Sequence, residues 1–269
     1  MNYERLLVLL LFCILMSSCV SPAQKIDNHA FKYGLDRLEL SGSLFTHISY
    51  GNTKKNKVKR LHIYIEGDGI AWFTRTRIAT DPTPSKSLML DLMSLDQQNS
   101  LYLGRPCYFG QAQSPFCHPL IWTHQRYSQE VVFSMVAALK KYMSLHPANE
   151  LVFFGHSGGG TLAMLIAPYF DETVTVVTLA ANLDITAWAD HHGYTRLEGS
   201  LNPATMPPLP PHITQIHYAG ENDSVVPAFI IKASSEKQIN SQFRILKGVD
   251  HICCWDRIWK NLLNEHQMK

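Results

Sequence analysis

Residues 151–160 read LVFFGHSGGG, an apolar run that ends in a histidine, a serine and three glycines. The run predicts a strand buried on both faces, and such a strand needs helices above and below it. The glycines add a second constraint. A chain that turns sharply after a buried strand brings backbone segments together, and only residues without a Cβ tolerate that approach. The rest of the sequence follows the same plan, with β-branched apolar runs alternating with segments of helical period. Strands are expected over 43–50, 61–65, 100–103, 151–154, 174–179, 214–218 and 243–246, and helices over 85–95, 128–145, 161–169, 227–239 and 255–266. In the second helix Val131, Val132, Met135, Val136, Leu139 and Tyr142 form one apolar stripe that faces the core. The proline-rich stretch NPATMPPLPP at 202–211 fits neither a helix nor a central strand and reads as a short cap or rim. The fold class is therefore α/β, a mostly parallel, doubly wound sheet with helices on both faces.

The first residues are set apart from this plan. Arg5 precedes an apolar run from Leu6 to Met16, followed by Ser17, Ser18 and Cys19. The run falls short of the roughly 20 residues that span a bilayer, so residues 1–18 read as a signal peptide. Met16-Ser17-Ser18-Cys19 resembles a bacterial lipoprotein processing site, which makes Cys19 the candidate lipidated residue. Residues 19–36 are polar enough for a tether, and the folded domain is expected to run over 37–269. The expected location is the cell envelope, with a lipid anchor joining the protein to a membrane, or else a soluble exported form. A net charge of +2 and the absence of aromatics within the basic cluster at 54–60 argue against a nucleic-acid partner. Export also favours oxidised cysteines. Cys107 and Cys117 flank a short loop containing Gly110 and Pro115 and are expected to pair, contributing about 2–3 kcal/mol by loop closure. The adjacent Cys253 and Cys254 are left open between a bridge and free thiols.

Chemistry enters at Gly155-His156-Ser157-Gly158-Gly159, a G-x-S-x-G pattern between a strand and a helix. That context marks Ser157 as the candidate nucleophile. A hydroxyl needs a base to take its proton and an acid to orient that base. His251, on the loop after the last strand, is the candidate base. Asp223, just beyond the strand of IHYAGENDSVVP, is the candidate acid, with Asp184 its rival. Asp250 adjoins His251 too closely in sequence to be its partner, and His156 reads as packing beside the serine. His191 and His192 read as a polar turn rather than a metal site. An oxyanion would be met by the backbone N–H of Gly158 and by that of Asp68, in the loop EGDG at 66–69. The Asp68 carboxylate must then turn away or be neutralised by Arg75, Arg77 or Arg105. No metal and no organic cofactor is expected.

The order Gly155-His156-Ser157-Gly158-Gly159, Asp223, His251 resembles the α/β-hydrolase superfamily over residues 61–269. The segments YIEGDGIAW, DPTP, RPC and NLDITAW resemble, more narrowly, a family of predicted bacterial α/β-hydrolase lipoproteins of unassigned substrate. Glu66-Gly67 stands where many members of the superfamily carry His-Gly. The resemblance implies the α/β-hydrolase fold and acyl-transfer chemistry on a small-molecule or lipid acyl substrate. Ester hydrolysis is the expected reaction. A peptidase or acyltransferase with the same residues, or a non-catalytic envelope scaffold, is the alternative.

Overall fold

A computed structural model describes residues 20–52 and 58–267 of the chain; the expected signal peptide and Cys19 lie outside the described residues. Strands β1 (Asp36–Ser41), β2 (Thr46–Gly51), β3 (Val58–Ile65), β4 (Asn99–Tyr102), β5 (Ala148–His156), β6 (Thr173–Leu179), β7 (Thr214–Gly220) and β8 (Ser241–Leu246) form one sheet. Their spatial order is β1-β2-β4-β3-β5-β6-β7-β8. From β4 to β8 every pairing is parallel, whereas β1–β2 and β2–β4 are antiparallel. The helices are α1 (Pro22–Lys32), α2 (Leu88–Ser94), α3 (Gln129–Leu145), α4 (Gly158–Ile166), α5 (Ile185–His192), α6 (Ala228–Ser235) and α7 (Trp255–Gln267).

The core is built as the apolar runs require. Leu61, Ile63, Tyr64 and Ile65 of β3 and Leu151, Phe153 and Phe154 of β5 are fully buried. Their central position removes both strand faces from water. Tyr64 stacks on Phe154 at 4.9 Å between ring centroids, and Trp259 of α7 closes on Phe154 at 5.2 Å. The stripe expected on α3 is buried along its whole length.

The structure differs from the tether expected over 19–36. Ser21 accepts the N–H of Gln24 and caps α1, whose Ile26 and Ala30 are buried in the core. Asp27 accepts the Tyr50 hydroxyl at 2.7 Å, fixing the helix to β2. Only a narrow apolar stripe on a polar helix makes these contacts, so its average composition matches that of a linker. Asp36, at the end of the expected tether, already begins β1.

Candidate active site

In-register pairing decides which loops meet. Ile65 pairs with Gly155, His156 with Leu179, and Leu179 with Tyr218. The C-terminal ends of β3, β5, β6 and β7 therefore open on one edge, where parallel α/β sheets hold their ligands. Ser157 is the single residue between β5 and α4, with φ 52° and ψ −123°, a conformation costly to any residue with a Cβ. The turn holds because its surroundings leave room for nothing else. A Cβ on Gly155 would run into the Gly159 carbonyl, and one on Gly159 into the carbonyls of Ile65 and Glu66. Three glycines at the start of a helix are poor helix formers; close approach demands them here, of Gly158 to Asp68 and Tyr127, of Gly159 to the end of β3, and of Gly160 to Thr178 and Ala181 at the end of β6.

His251 reaches this turn from the loop after β8. Its Nε2 lies 3.1 Å from Ser157 Oγ and its Nδ1 2.9 Å from Asp223 Oδ2. A neutral imidazole protonated at Nδ1 satisfies both contacts, donating to the carboxylate and accepting from the hydroxyl. The Asp223 side chain is fully buried, and its Oδ1 accepts the N–H groups of Val225 and Val226 at 2.8 and 2.9 Å. The carboxylate is thus aimed from behind. His156 Nε2 donates to the His251 carbonyl at 2.7 Å, and Trp255 Nε1 to the same oxygen at 3.3 Å. On its other side His156 faces Glu66, Nδ1 to Oε1 3.7 Å. Burial alone would raise the Glu66 carboxyl, but His156, the Ser87 hydroxyl and the Met89 N–H hold it below its ordinary range.

The rivals stand elsewhere. Asp184 caps α5, accepting the N–H groups of Thr186 and Ala187 and the Asn202 amide. Asp250 accepts the N–H groups of Ile252 and Cys253. His191 and His192 end α5 among aromatic rings, with His192 Nε2 on the Val225 carbonyl.

The EGDG loop passes directly in front of the serine. A Cβ on Gly67 would stand 3.3 Å from Ser157 Cβ, and one on Gly158 would collide with the Asp68 carboxylate and the Tyr127 hydroxyl. Gly158 opens α4, so its N–H has no partner within the helix. The Asp68 carboxylate faces inward and is neutralised there. Arg105 Nη1 donates to Oδ1 at 2.6 Å, Arg126 Nη1 to Oδ2 at 2.8 Å, and the Tyr127 hydroxyl reaches both oxygens. Burial would raise this carboxyl; Arg126 and Arg105 outweigh it and hold it well below the usual carboxylate range. Of the arginines expected near Asp68, only Arg105 makes the contact, and Arg77 lies over the Phe73 ring instead. Arg126 was not legible in the sequence: a buried arginine carries no local signal beyond its position just before the α3 cap.

Ser157, His251, Asp68, Arg126, His156 and Asn182 line one cleft of about 1360 Å³. Leu88, Leu95, Trp188, Val225 and Ile252 add apolar surface to its lining, and Lys86, Asp91, Asp256 and Lys260 add charge. Cys107 is joined to Cys117, closing the loop that follows Arg105. Cys253 is joined to Cys254 at the edge of the cleft, beside His251.

Sheet order, parallel register and the serine turn together define an α/β-hydrolase fold. Solved structures of that fold match most of the chain. An esterase from Pyrococcus furiosus has a TM-score of 0.60 at 10% identity, covering 88% of this chain and 91% of the esterase. A membrane phospholipase A has a TM-score of 0.58 at 12% identity, covering 99% and 97%. A serine hydrolase without a lid from Xanthomonas campestris has a TM-score of 0.54 at 11% identity, covering 87% and 92%. The family described as Lipase (class 3) matches residues 100–185, which include Ser157. No curated protein sequence matches the chain.

Proposed function

We propose that the protein is a serine hydrolase that cleaves a carboxylic ester. The observation that carries this reading is the unbroken chain Ser157 Oγ–His251 Nε2, His251 Nδ1–Asp223 Oδ2, set on a strained turn at a helix N-terminus and open to a cleft. Ser157 Oγ attacks the ester carbonyl carbon while His251 Nε2 takes the hydroxyl proton. The carbonyl oxygen becomes an oxyanion, which the N–H groups of Gly158 and Asp68 meet. His251 then returns the proton to the departing alkoxide, leaving an acyl group on Ser157. Water, deprotonated by the same nitrogen, attacks that acyl group; the acyl C–Oγ bond then breaks, His251 returns the proton to Ser157 Oγ, and the acid leaves. Asp223 keeps its charge throughout and stabilises the imidazolium. The Lipase (class 3) match, which includes Ser157, supports an ester as the bond cleaved.

In this reading the protein works at a membrane, held by a lipidated Cys19. Two residues, Val20 and Ser21, then separate the anchor from α1, and His29 and Tyr33, in and just after that helix, line the cleft. One wall of the cleft would stand within about 30 Å of the anchor, close enough to take acyl substrates from the bilayer surface. The test is turnover of a graded series of acyl esters and peptide amides by the purified chain. Ester cleavage that disappears in Ser157→Ala is expected. Ester cleavage unchanged in that variant contradicts the assignment, and amide cleavage alone replaces it with a peptidase. Cys19→Ser should move the protein from the membrane to the soluble fraction on cell fractionation.

A further inference from the structure

Gly69 and Pro84 both line the cleft, and between them the chain makes an excursion from its rim. The Ile70 N–H closes the base of this excursion on the Pro82 carbonyl at 2.9 Å, and the Ala79 N–H meets the Ala71 carbonyl at 3.1 Å. Trp72 and Ile78 form an antiparallel bridge, and the tip turns where the Phe73 N–H donates to the Arg77 carbonyl at 2.8 Å. The backbone is thus a closed hairpin, yet its apolar side chains are left in water. Trp72 is 38% exposed and Phe73 65%, with the Arg77 guanidinium 4.2 Å from the Phe73 ring centroid. The segment packed beside the hairpin repeats the pattern. Trp122 donates its indole N–H to the Ala79 carbonyl at 3.1 Å, and the Trp72 and His124 rings lie 6.3 Å apart. Phe116 and Leu120 of that segment are exposed. Charge here has one sign. Residues 69–80 and 97–129 contain no aspartate or glutamate, whereas Arg75 and Arg77 are exposed at the tip. Asp81, at the base, accepts the Thr83 N–H at 2.8 Å.

We propose that the hairpin of residues 70–80 is a docking surface that seats the cleft rim on an anionic lipid bilayer. Exposed apolar patches mark interaction surfaces. Aromatic rings settle at the depth of lipid headgroups, and arginines free of neighbouring acids meet the phosphates there. The start of α1 lies against the same segment, since a Cβ on Gly110 would stand 3.8 Å from Ala23 Cβ. A lipid on Cys19, four residues before Ala23, would join the chain within about 15 Å of that point. The hairpin adds a second membrane contact, at the mouth of the cleft. As a route for acyl substrate this contact rests on the hydrolase reading; as a binding surface it does not.

The test uses the purified full chain carrying Cys19→Ser, so that no lipid contributes, mixed with vesicles whose acyl chains are brominated. Trp122, Trp255 and Trp259 are buried and Trp188 is half-buried, so Trp72 is the indole that bromine should quench. Vesicles with about one third phosphatidylglycerol should quench it with an affinity about tenfold or more above that for pure phosphatidylcholine. Added salt should narrow this difference. Trp72→Phe should remove most of the quenching, and Phe73→Asp should abolish it. Arg75→Gln with Arg77→Gln should bring the two affinities close together. These positions are exposed, so the variants should keep the circular dichroism of the natural chain. No quenching by either vesicle overturns the inference, as does equal affinity for both or quenching undiminished in Trp72→Phe. Self-association that is lost in Phe73→Asp, without quenching, would assign the hairpin to a second copy of this chain instead. The readout needs no turnover, so ester hydrolysis by the same preparation stands or fails separately.

Discussion

At the scale of single residues, the site is defined as much by missing side chains as by reactive ones. Gly158 is the sharpest case, because a methyl group there meets the Asp68 carboxylate and the Tyr127 hydroxyl. Gly158→Ala should push the EGDG loop outward and misplace the Asp68 N–H, one of the two donors proposed for the oxyanion. The expected loss in kcat is on the order of 10²–10³, the usual cost of one donor, read by ester kinetics on protein with unchanged circular dichroism. The two acids separate by role. Asp223→Asn keeps an oxygen for Val225 and Val226 but presents an amide to His251, which favours the wrong tautomer. By analogy with a serine-protease triad, turnover should fall on the order of 10⁴. Asp184→Ala removes a helix cap instead and should cost about 1 kcal/mol of stability while turnover changes far less. Kinetics and urea unfolding on the two variants distinguish the roles, and a reversal of the two effects would contradict the assignment.

At the scale of elements, what could be read from the sequence follows burial. Strands β3, β5, β6 and β7 sit centrally, so their apolar runs announced them, and the loops after β3, β5, β7 and β8 placed Asp68, Ser157, Asp223 and His251. Strand β1 stands at the sheet edge with most of its residues exposed, and its alternation DRLELS was too polar to register. Helix α5 is short, and the residue that starts it, Asp184, drew attention as an acid rather than as a cap. The Arg105–Asp68–Arg126 contacts join residues 37 and 58 positions apart in sequence and become visible only once the chain is folded. Helix α1 gives the most direct test at this scale. Ile26 is 1% exposed, so Ile26→Ala should destabilise the domain by about 2–4 kcal/mol in urea unfolding. No change in the midpoint would return residues 22–32 to the status of a tether.

At the scale of the whole molecule, two histidines that do not line the cleft link stability to pH. His47 and His217 are fully buried, and burial lowers each from 6.5 to about 4. Each stays neutral in the folded protein while the unfolded chain takes up a proton below pH 6.5. Stability from this source is complete above that pH and is lost as pH falls towards 4. At pH 5 the loss is on the order of 2 kcal/mol for each histidine. Urea unfolding at pH 7 and pH 5 should show it, and His47→Gln with His217→Gln should flatten the dependence. The sheet so stabilised serves one end, holding Ser157, His251 and Asp223 in register at its open edge. The most direct measurement of that claim is peptide mapping by mass spectrometry after treatment with a fluorophosphonate. The account predicts a single adduct on Ser157, with labelling slowed by several powers of ten in His251→Ala. An adduct on another residue, or labelling of Ser157 at an unchanged rate without His251, would contradict it.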